Sequence, residues 1–274
     1  MKSLSSRRAR NIAALIFSVF VFALLAAVST AALRDTARLS GWCLFALILL
    51  LASYNLRKKL PFLSLGSSSG WLQLHIYVGL LTGFLFGTHV GWRITDGVFE
   101  ALLAVVYMTV FLSGCLGLVV SRSFARRLTT RGDEVLFERI VVKRTLLQRE
   151  VEELVLQCVS DTGSAAVAEF YADRLRPFFA CARNLWQHLL QSSRPRQALL
   201  NEMRGFDRYL NDAERQTIHE IALRVEAKDD LDYQVALQAT LKYWLFVHVP
   251  LTYVLLVLAL FHLLLVHRFS GGIP

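Results

Sequence analysis

Two pairs of histidines, each with a spacing of 14 residues, lie in two long apolar segments of the sequence. His75 and His89 belong to the segment 71–92, and His248 and His262 belong to the segment 243–266. Fourteen residues of an α-helix extend about 21 Å and come within about 40° of four full turns. Each segment, if helical, therefore presents two imidazoles on one face, one near each surface of a membrane about 30 Å thick.

Histidine at these positions suits electron-transfer chemistry. A neutral imidazole is a good iron ligand, and two of them fill both axial positions of a haem iron, which can then exchange electrons without changing ligands. Intramembrane histidines can instead hydrogen-bond across helices or form a proton path. Two pairs with equal spacing favour ligation of haem iron by all four side chains, His75, His89, His248 and His262.

The elements that position these histidines are apolar segments long enough to cross a membrane as helices. The chain is 55% hydrophobic, which is more than an ordinary soluble domain carries. In lipid, a segment of about 20 apolar residues satisfies its backbone only as a helix. The sequence predicts an all-α fold, a five-span transmembrane helix bundle with spans at 12–33, 42–56, 71–92, 98–120 and 243–266. The second is short for a span, and the first is alternatively a signal peptide, which would leave four.

Positive charge is concentrated at the ends of the predicted spans. The net charge is +9, yet residues 132–240 hold 18 acidic and 14 basic side chains, so the positive excess lies elsewhere. Basic clusters precede span one and follow spans two and four, which makes that side cytoplasmic. This predicts an integral protein of the bacterial inner (cytoplasmic) membrane with a cytoplasmic N-terminus, whose partner is membrane lipid and not nucleic acid.

The same topology pairs the histidines. Spans three and five run in the same direction, so His75 meets His248 at the cytoplasmic level and His89 meets His262 at the outer level. Gly79, Gly83 and Gly87 lie between the third-span histidines, where they would let a flat macrocycle approach or serve close helix packing. The remaining histidines are isolated: His188 and His219 are predicted to be ordinary helix residues, and His267 an interfacial residue near a haem propionate.

Three regions follow from this layout: 1–121 with spans one to four, a helical cytoplasmic insert at 122–240, and 241–274 with span five and an outer tail. Within the insert, apolar stripes predict helices, one of them over 165–190. Asn211 or Asp212 is predicted to cap a later helix that runs to about Arg224, and 231–241 is predicted to continue into span five. The insert has no phosphate loop or dinucleotide fingerprint, and the four cysteines form no CxxC or CxxCH motif.

The paired H-x13-H pattern on two parallel spans, with one span between them, resembles the diheme transmembrane cytochromes b. It is similar to the core bundle of cytochrome b in respiratory bc complexes and to the membrane domain of ferric reductases and NADPH oxidases. The resemblance covers about 150 residues and implies two haem b groups held by the four histidines. The PEWY quinol-site signature and the reductases' nucleotide-binding domain are absent from the sequence, so no quinone site is carried over.

The resemblance implies the electron-transfer subunit of an oxidoreductase complex, which carries electrons across the bilayer between the quinone pool and a redox partner, a haem or iron–sulfur subunit. A stand-alone quinol-linked reductase and a histidine-relay proton channel or transporter are the alternatives. Arg93, Asp96 and Glu100 follow His89 and form the candidate quinone or proton site. An ionisable group at the edge of an apolar span is costly and often functional, although Glu100 is alternatively a hydrated interfacial residue.

Overall fold

The computed structural model describes residues 12–23, 36–59, 68–93, 97–129 and 135–270, and every regular element in these ranges is helical. In chain order they are α1 (Ile12–Ala23), α2 (Thr36–Lys59), α3 (Ser68–Val90), α4 (Val98–Leu128), α5 (Phe137–Thr162), α6 (Ala166–Phe170), a π-helical turn (Tyr171–Leu175), α7 (Arg176–Ala180), α8 (Leu185–Leu189), α9 (Arg194–Phe206), a 3₁₀ turn (Asp207–Tyr209) and α10 (Asp212–Ser270). The chain divides into two compact units, Met1–Val119 with Leu245–Pro274, and Val120–Trp244.

Four of the described helices, α2, α3, α4 and α10, are long and apolar enough to cross a membrane. The predicted short span at 42–56 lies inside the 24-residue helix α2. This helix is long and apolar enough to cross a membrane. Of the predicted first span, Ile12–Ala23 forms α1, while residues 24–33 lie outside the described ranges. A total of five spans therefore stays a prediction.

The core of the first unit is built from apolar side chains on α2, α3, α4 and the last part of α10. Side chains of α1 pack against this core. The fully buried members are Leu44, Ile48, Leu81, Leu85, Tyr107 and Leu255. Large apolar residues also remain on the outer surface of these helices, among them Leu116 at 58% and Val257 at 66% exposure. Apolar residues on the outside as well as the inside are what a helix bundle surrounded by lipid requires.

The C-terminal end of α3 is fixed by two residues in the left-handed region. Gly91 has φ 67° and Trp92 has φ 56°, and the Trp92 amide donates to the Gly87 carbonyl at 3.0 Å. The turn brings the Trp92 ring against Gly87, where an added Cβ would lie 2.6 Å from the indole. Glycine at 87 is therefore required by the end of its own helix.

The second unit is a helical bundle whose predicted helix at 165–190 is wrong in detail. The helical run that begins with α6 passes through the π-helical turn just before Pro177, whose missing amide interrupts the regular ladder. It then stops at Ala180, and Asn184, at φ 58°, opens the separate short helix α8.

The predicted cap at the start of α10 is confirmed, because Asn211 and Glu214 form a reciprocal capping box with two 2.9 Å bonds. The predicted continuity of 231–241 into the last apolar segment is confirmed, since α10 extends without a break to Ser270. The predicted end of the capped helix near Arg224 is wrong, because the same helix continues through that position.

Candidate functional site

All four histidines of the two predicted pairs lie in the first unit, His75 and His89 on α3 and His248 and His262 on α10. The rings of His89 and His262 are neighbours in an edge-to-face arrangement. Their centres lie 6.3 Å apart and their planes form an angle of 87°. Two imidazole nitrogens that each bind one metal ion at about 2 Å lie about 4 Å apart, and their ring centres are about 6 Å apart. The spacing of this pair therefore suits two axial ligands of one ion.

The tautomer of His89 follows from its neighbour on α2. Nδ1 of His89 lies 2.9 Å from the carbonyl oxygen of Ala37. A carbonyl only accepts hydrogen bonds, so Nδ1 carries the proton and Nε2 keeps its lone pair. A metal-bound histidine commonly donates its other nitrogen in this way, which fixes the ring and raises its basicity. In this tautomer Nε2 is the nitrogen of His89 that keeps its lone pair.

The second pair, His75 and His248, is supported differently. Nδ1 of His248 lies 3.2 Å from the hydroxyl oxygen of Ser113 on α4. His75 packs against Tyr54 of α2 with ring centres 5.2 Å apart, and its Nδ1 is buried without a hydrogen-bond partner. His75 and His248 are close enough to interact electrostatically. The Leu51 carbonyl of α2 also lies close to His75, so two residues of α2 position this ring.

The 14-residue spacing of the histidines recurs on both neighbouring helices. On α4, Phe99 stacks on His262 at 6.2 Å, and Ser113, 14 residues later, contacts His248. On α2, the Ala37 carbonyl accepts from His89, and the Leu51 carbonyl, 14 residues later, lies beside His75. The flanking helices thus support the histidines at the same two levels, as the equal spacing predicts.

An apolar cavity of about 580 Å³ opens at the outer pair. Most of its lining comes from apolar side chains of α2, α3, α4 and α10, with His89, His262, Arg38, His267 and Tyr107 as polar members. Cofactor sites occupy roughly 300–1,000 Å³ and are mostly apolar with a few polar groups, so the cavity has the size and lining of such a site. A second cavity, beside His75, measures only about 10 Å³. The outer level is open, whereas the inner level is filled by Tyr54.

Glycine positions near the site differ from those expected. A Cβ added to Gly41 of α2 would lie 2.8 Å from Cε1 of His89. Gly83 instead makes room for Phe111, because a Cβ added to Gly83 would lie 2.6 Å from the phenyl ring. A Cβ added to Gly79 would meet no atom within 4 Å. Gly87 belongs to the end of α3, Gly83 allows Phe111 to pack, and Gly79 lies beside open space. The glycine that a histidine requires was missed because it lies on another helix.

The candidate quinone or proton residues are only partly brought together. Glu100 is exposed in the first turn of α4, folds back over Gly97 and interacts electrostatically with His262. Arg93 is exposed in the bend after α3. Asp96 lies outside the described residues. Of this prediction, the described residues show only the electrostatic interaction between Glu100 and His262.

Sequence reasoning missed the residues that hold the imidazoles, namely Ser113 and the carbonyl of Ala37. Neither is marked by a motif, because a single serine or alanine in an apolar helix has no distinctive spacing. Among the described residues, no three His, Cys, Asp or Glu side chains gather at one place. The four histidines lie as two pairs, and two imidazoles are the protein ligands that a haem iron accepts. No family model, curated protein or solved structure matches the chain.

Proposed function

We propose that the chain is a membrane-bound diheme b-type cytochrome subunit that carries electrons across the bilayer between the quinone pool and a redox partner. The observation that carries this proposal is the outer pair. His89 and His262 stand at the separation of two axial ligands, at the edge of an apolar cavity, with the His89 tautomer set by Ala37. A packing role alone needs neither the cavity nor the free Nε2.

His89 and His262 would hold the outer haem, and His75 and His248 the inner one. When bound, a bis-imidazole haem takes up and releases one electron without a change of ligands. The chain's own residues orient the imidazoles through Ala37 and Ser113 and surround the site with apolar side chains that exclude water. Binding at the inner level requires Tyr54 to leave the His75 ring, because little free volume exists there.

The proposed orientation puts the N-terminus and residues 122–240 in the cytoplasm of a bacterium and the C-terminus outside. The basic residues at the ends of α2 and α4 support it. Reporter fusions after Arg131 and after Pro274 should report opposite sides of the inner membrane. Fusions that report the same side would show that the last part of α10 does not cross.

The partner is a further subunit of an electron-transfer complex, a haem or iron–sulfur protein, and the charge-rich second unit offers it a docking surface. Quinol is the proposed substrate at the outer level, near Glu100. A stand-alone quinol-linked reductase would use the same histidines without a partner. Its test is whether the purified single chain reduces an acceptor when given quinol.

The first experiment is a reduced-minus-oxidised absorption spectrum of the purified chain. Bands of b-type haem that form a pyridine haemochrome are the expected result. A colourless protein, expressed with adequate haem supply, would contradict the proposal and favour a histidine proton path, which neighbouring imidazoles such as His89 and His262 also permit.

A further inference from the structure

The short helix α8 packs where the apolar segments of two long helices end. Its last residue, Leu189, joins the cluster of Phe124, Tyr233 and Leu237, together with Val120 and Leu241. Val120 closes the apolar segment 98–120 of α4, and Leu241 directly precedes the apolar segment 243–266 of α10. If those segments cross the membrane, α8 lies at the level of the membrane surface.

Arg127 of α4 fixes the orientation of α8. Its guanidinium donates to the carbonyl oxygens of His188 at 2.6 Å and Leu189 at 3.0 Å, and to the hydroxyl of Tyr233 at 3.1 Å. The guanidinium also lies over the rings of Phe124 and Tyr233, at 5.2 and 5.4 Å from their centres. A cation on the last carbonyls of a helix satisfies acceptors that have no partner within the helix. Rotation of α8 would break these bonds.

The face of α8 opposite the buried His188 is apolar and uncovered. Trp186 is 77% exposed and Leu190 is 80% exposed, four residues later on the same side. His188, by contrast, is 3% exposed and points into the unit. A large apolar side chain loses the favourable free energy of burial while it stays in water. Two such residues on a short, firmly held helix indicate a surface with an apolar occupant.

We infer that α8 is a membrane-surface anchor, with Trp186 and Leu190 inserted among the lipid headgroups on the side where these ends of α4 and α10 leave the bilayer. Arg127 is seven residues beyond Val120, about 10 Å along the helix, whereas Leu189 of α8 packs in the cluster that includes Val120 itself, at the end of the apolar segment. The headgroup layer extends roughly 5–8 Å from the hydrocarbon. Tryptophan concentrates in this layer, because its ring is apolar and its N–H stays hydrated.

Charge at the same level suits the lipid surface. Arg122 and Arg126 of α4 are exposed, one turn apart, on the side of α4 away from the buried Phe124. Cations at this depth attract anionic headgroups, so the apolar contacts of α8 and the basic residues of α4 would face the same layer. The inference needs α4 and α10 to cross the membrane, but it does not depend on haem.

The test is hydroxyl-radical footprinting of the full chain in phosphatidylcholine nanodiscs that each hold one copy, read residue by residue by mass spectrometry. Tyr209, 84% exposed on the same unit, is the matched control for Trp186. Trp186 should be oxidised several-fold more slowly than Tyr209, although free tryptophan is at least as reactive as tyrosine. Equal oxidation would place Trp186 in water and overturn the inference.

A second measurement uses tryptophan fluorescence in nanodiscs made with lipid brominated near the headgroup end of its acyl chains. The wild-type chain should lose more fluorescence in brominated than in plain lipid, and Trp186→Phe should abolish part of that difference. An unchanged difference would contradict the anchor. The haem-free protein should give the same result, so failure of the anchor and failure of the proposed function are separate outcomes.

Discussion

The rings of His89 on α3 and His262 on α10 stand almost perpendicular with their centres 6.3 Å apart, and Nδ1 of His89 is held by the Ala37 carbonyl. His89 and His262 are far apart in the sequence. They meet because α3 and α10 both direct histidines with the same spacing toward the interior of one helix bundle. The arrangement leaves Nε2 of His89 as the nitrogen available to a metal. Every prediction about the outer level depends on this geometry.

Replacing Gly41 should disrupt the outer level. In Gly41→Ala the new methyl group would press on Cε1 of His89 and push the ring away from Ala37, because the gap is only 2.8 Å. We expect binding of the outer haem to weaken about 10- to 100-fold, as for lost support of a metal-bound histidine. Gly79→Ala is the matched control, since a Cβ there meets nothing. Haem content of the two purified variants measures the difference, and equal content would contradict the assigned role of Gly41.

Ser113→Ala should change the electronic properties of the inner haem without removing it. The hydroxyl of Ser113 is the hydrogen-bond partner of Nδ1 of His248. Loss of an acceptor there makes the imidazole a weaker donor to iron, so the midpoint potential of the inner haem should rise while the outer haem keeps its potential. Thr109→Ala removes a hydroxyl from the outer surface of the same helix and should leave both potentials unchanged. A redox titration that shows no shift in Ser113→Ala would assign the serine to packing only.

The sequence was sufficient for the helices and for the two levels of histidines, because a long apolar run and a 14-residue spacing are local properties of one segment. It was insufficient for their partners on other helices. Gly41 and Ser113 act across helix–helix contacts that no single segment encodes. The break before α8 was missed for a similar reason, since the apolar stripe through 165–190 outweighed the signal of Asn184, which adopts φ 58°.

Glu100→Gln should slow reduction of the haems by quinol and leave their spectra intact. Quinol oxidation releases protons, and a carboxylate that interacts with His262 can accept one. Glu100→Asp keeps a carboxylate and should restore much of the rate. Stopped-flow reduction of the purified variants by a soluble quinol measures this. If Glu100→Gln reacts at the wild-type rate, the carboxylate only stabilises the start of α4, and attention moves to Tyr77, Lys242 and Tyr243.

Asp232→Asn should destabilise the second unit. Lys228 and Asp232 are 0% and 1% exposed and form an ion pair. Burial lowers the pKa of Lys228 and raises that of Asp232, and the charge of each partner opposes that shift. A buried cation left without its partner costs about 3–5 kcal/mol. Asparagine still accepts from the Arg183 amide, so a second change, Lys228→Met, should recover most of the loss.

Thermal unfolding of the full chain, followed by circular dichroism, measures this effect. Glu202→Gln is the control, because it breaks an exposed pair with Arg174 and should lower the midpoint far less. An Asp232→Asn variant that unfolds at the same temperature as Glu202→Gln would show that the buried pair contributes little.

The most direct test of the central claim is the haem-to-protein ratio of the purified chain and its histidine variants, from the pyridine haemochrome. The account predicts two b haems per chain, and one in each of His75→Ala, His248→Ala, His89→Ala and His262→Ala. The two members of a pair should lose the same spectral component, and His219→Ala, at an exposed site in the second unit, should keep both haems. A wild-type chain with fewer than two haems, or paired variants that lose different components, would contradict it.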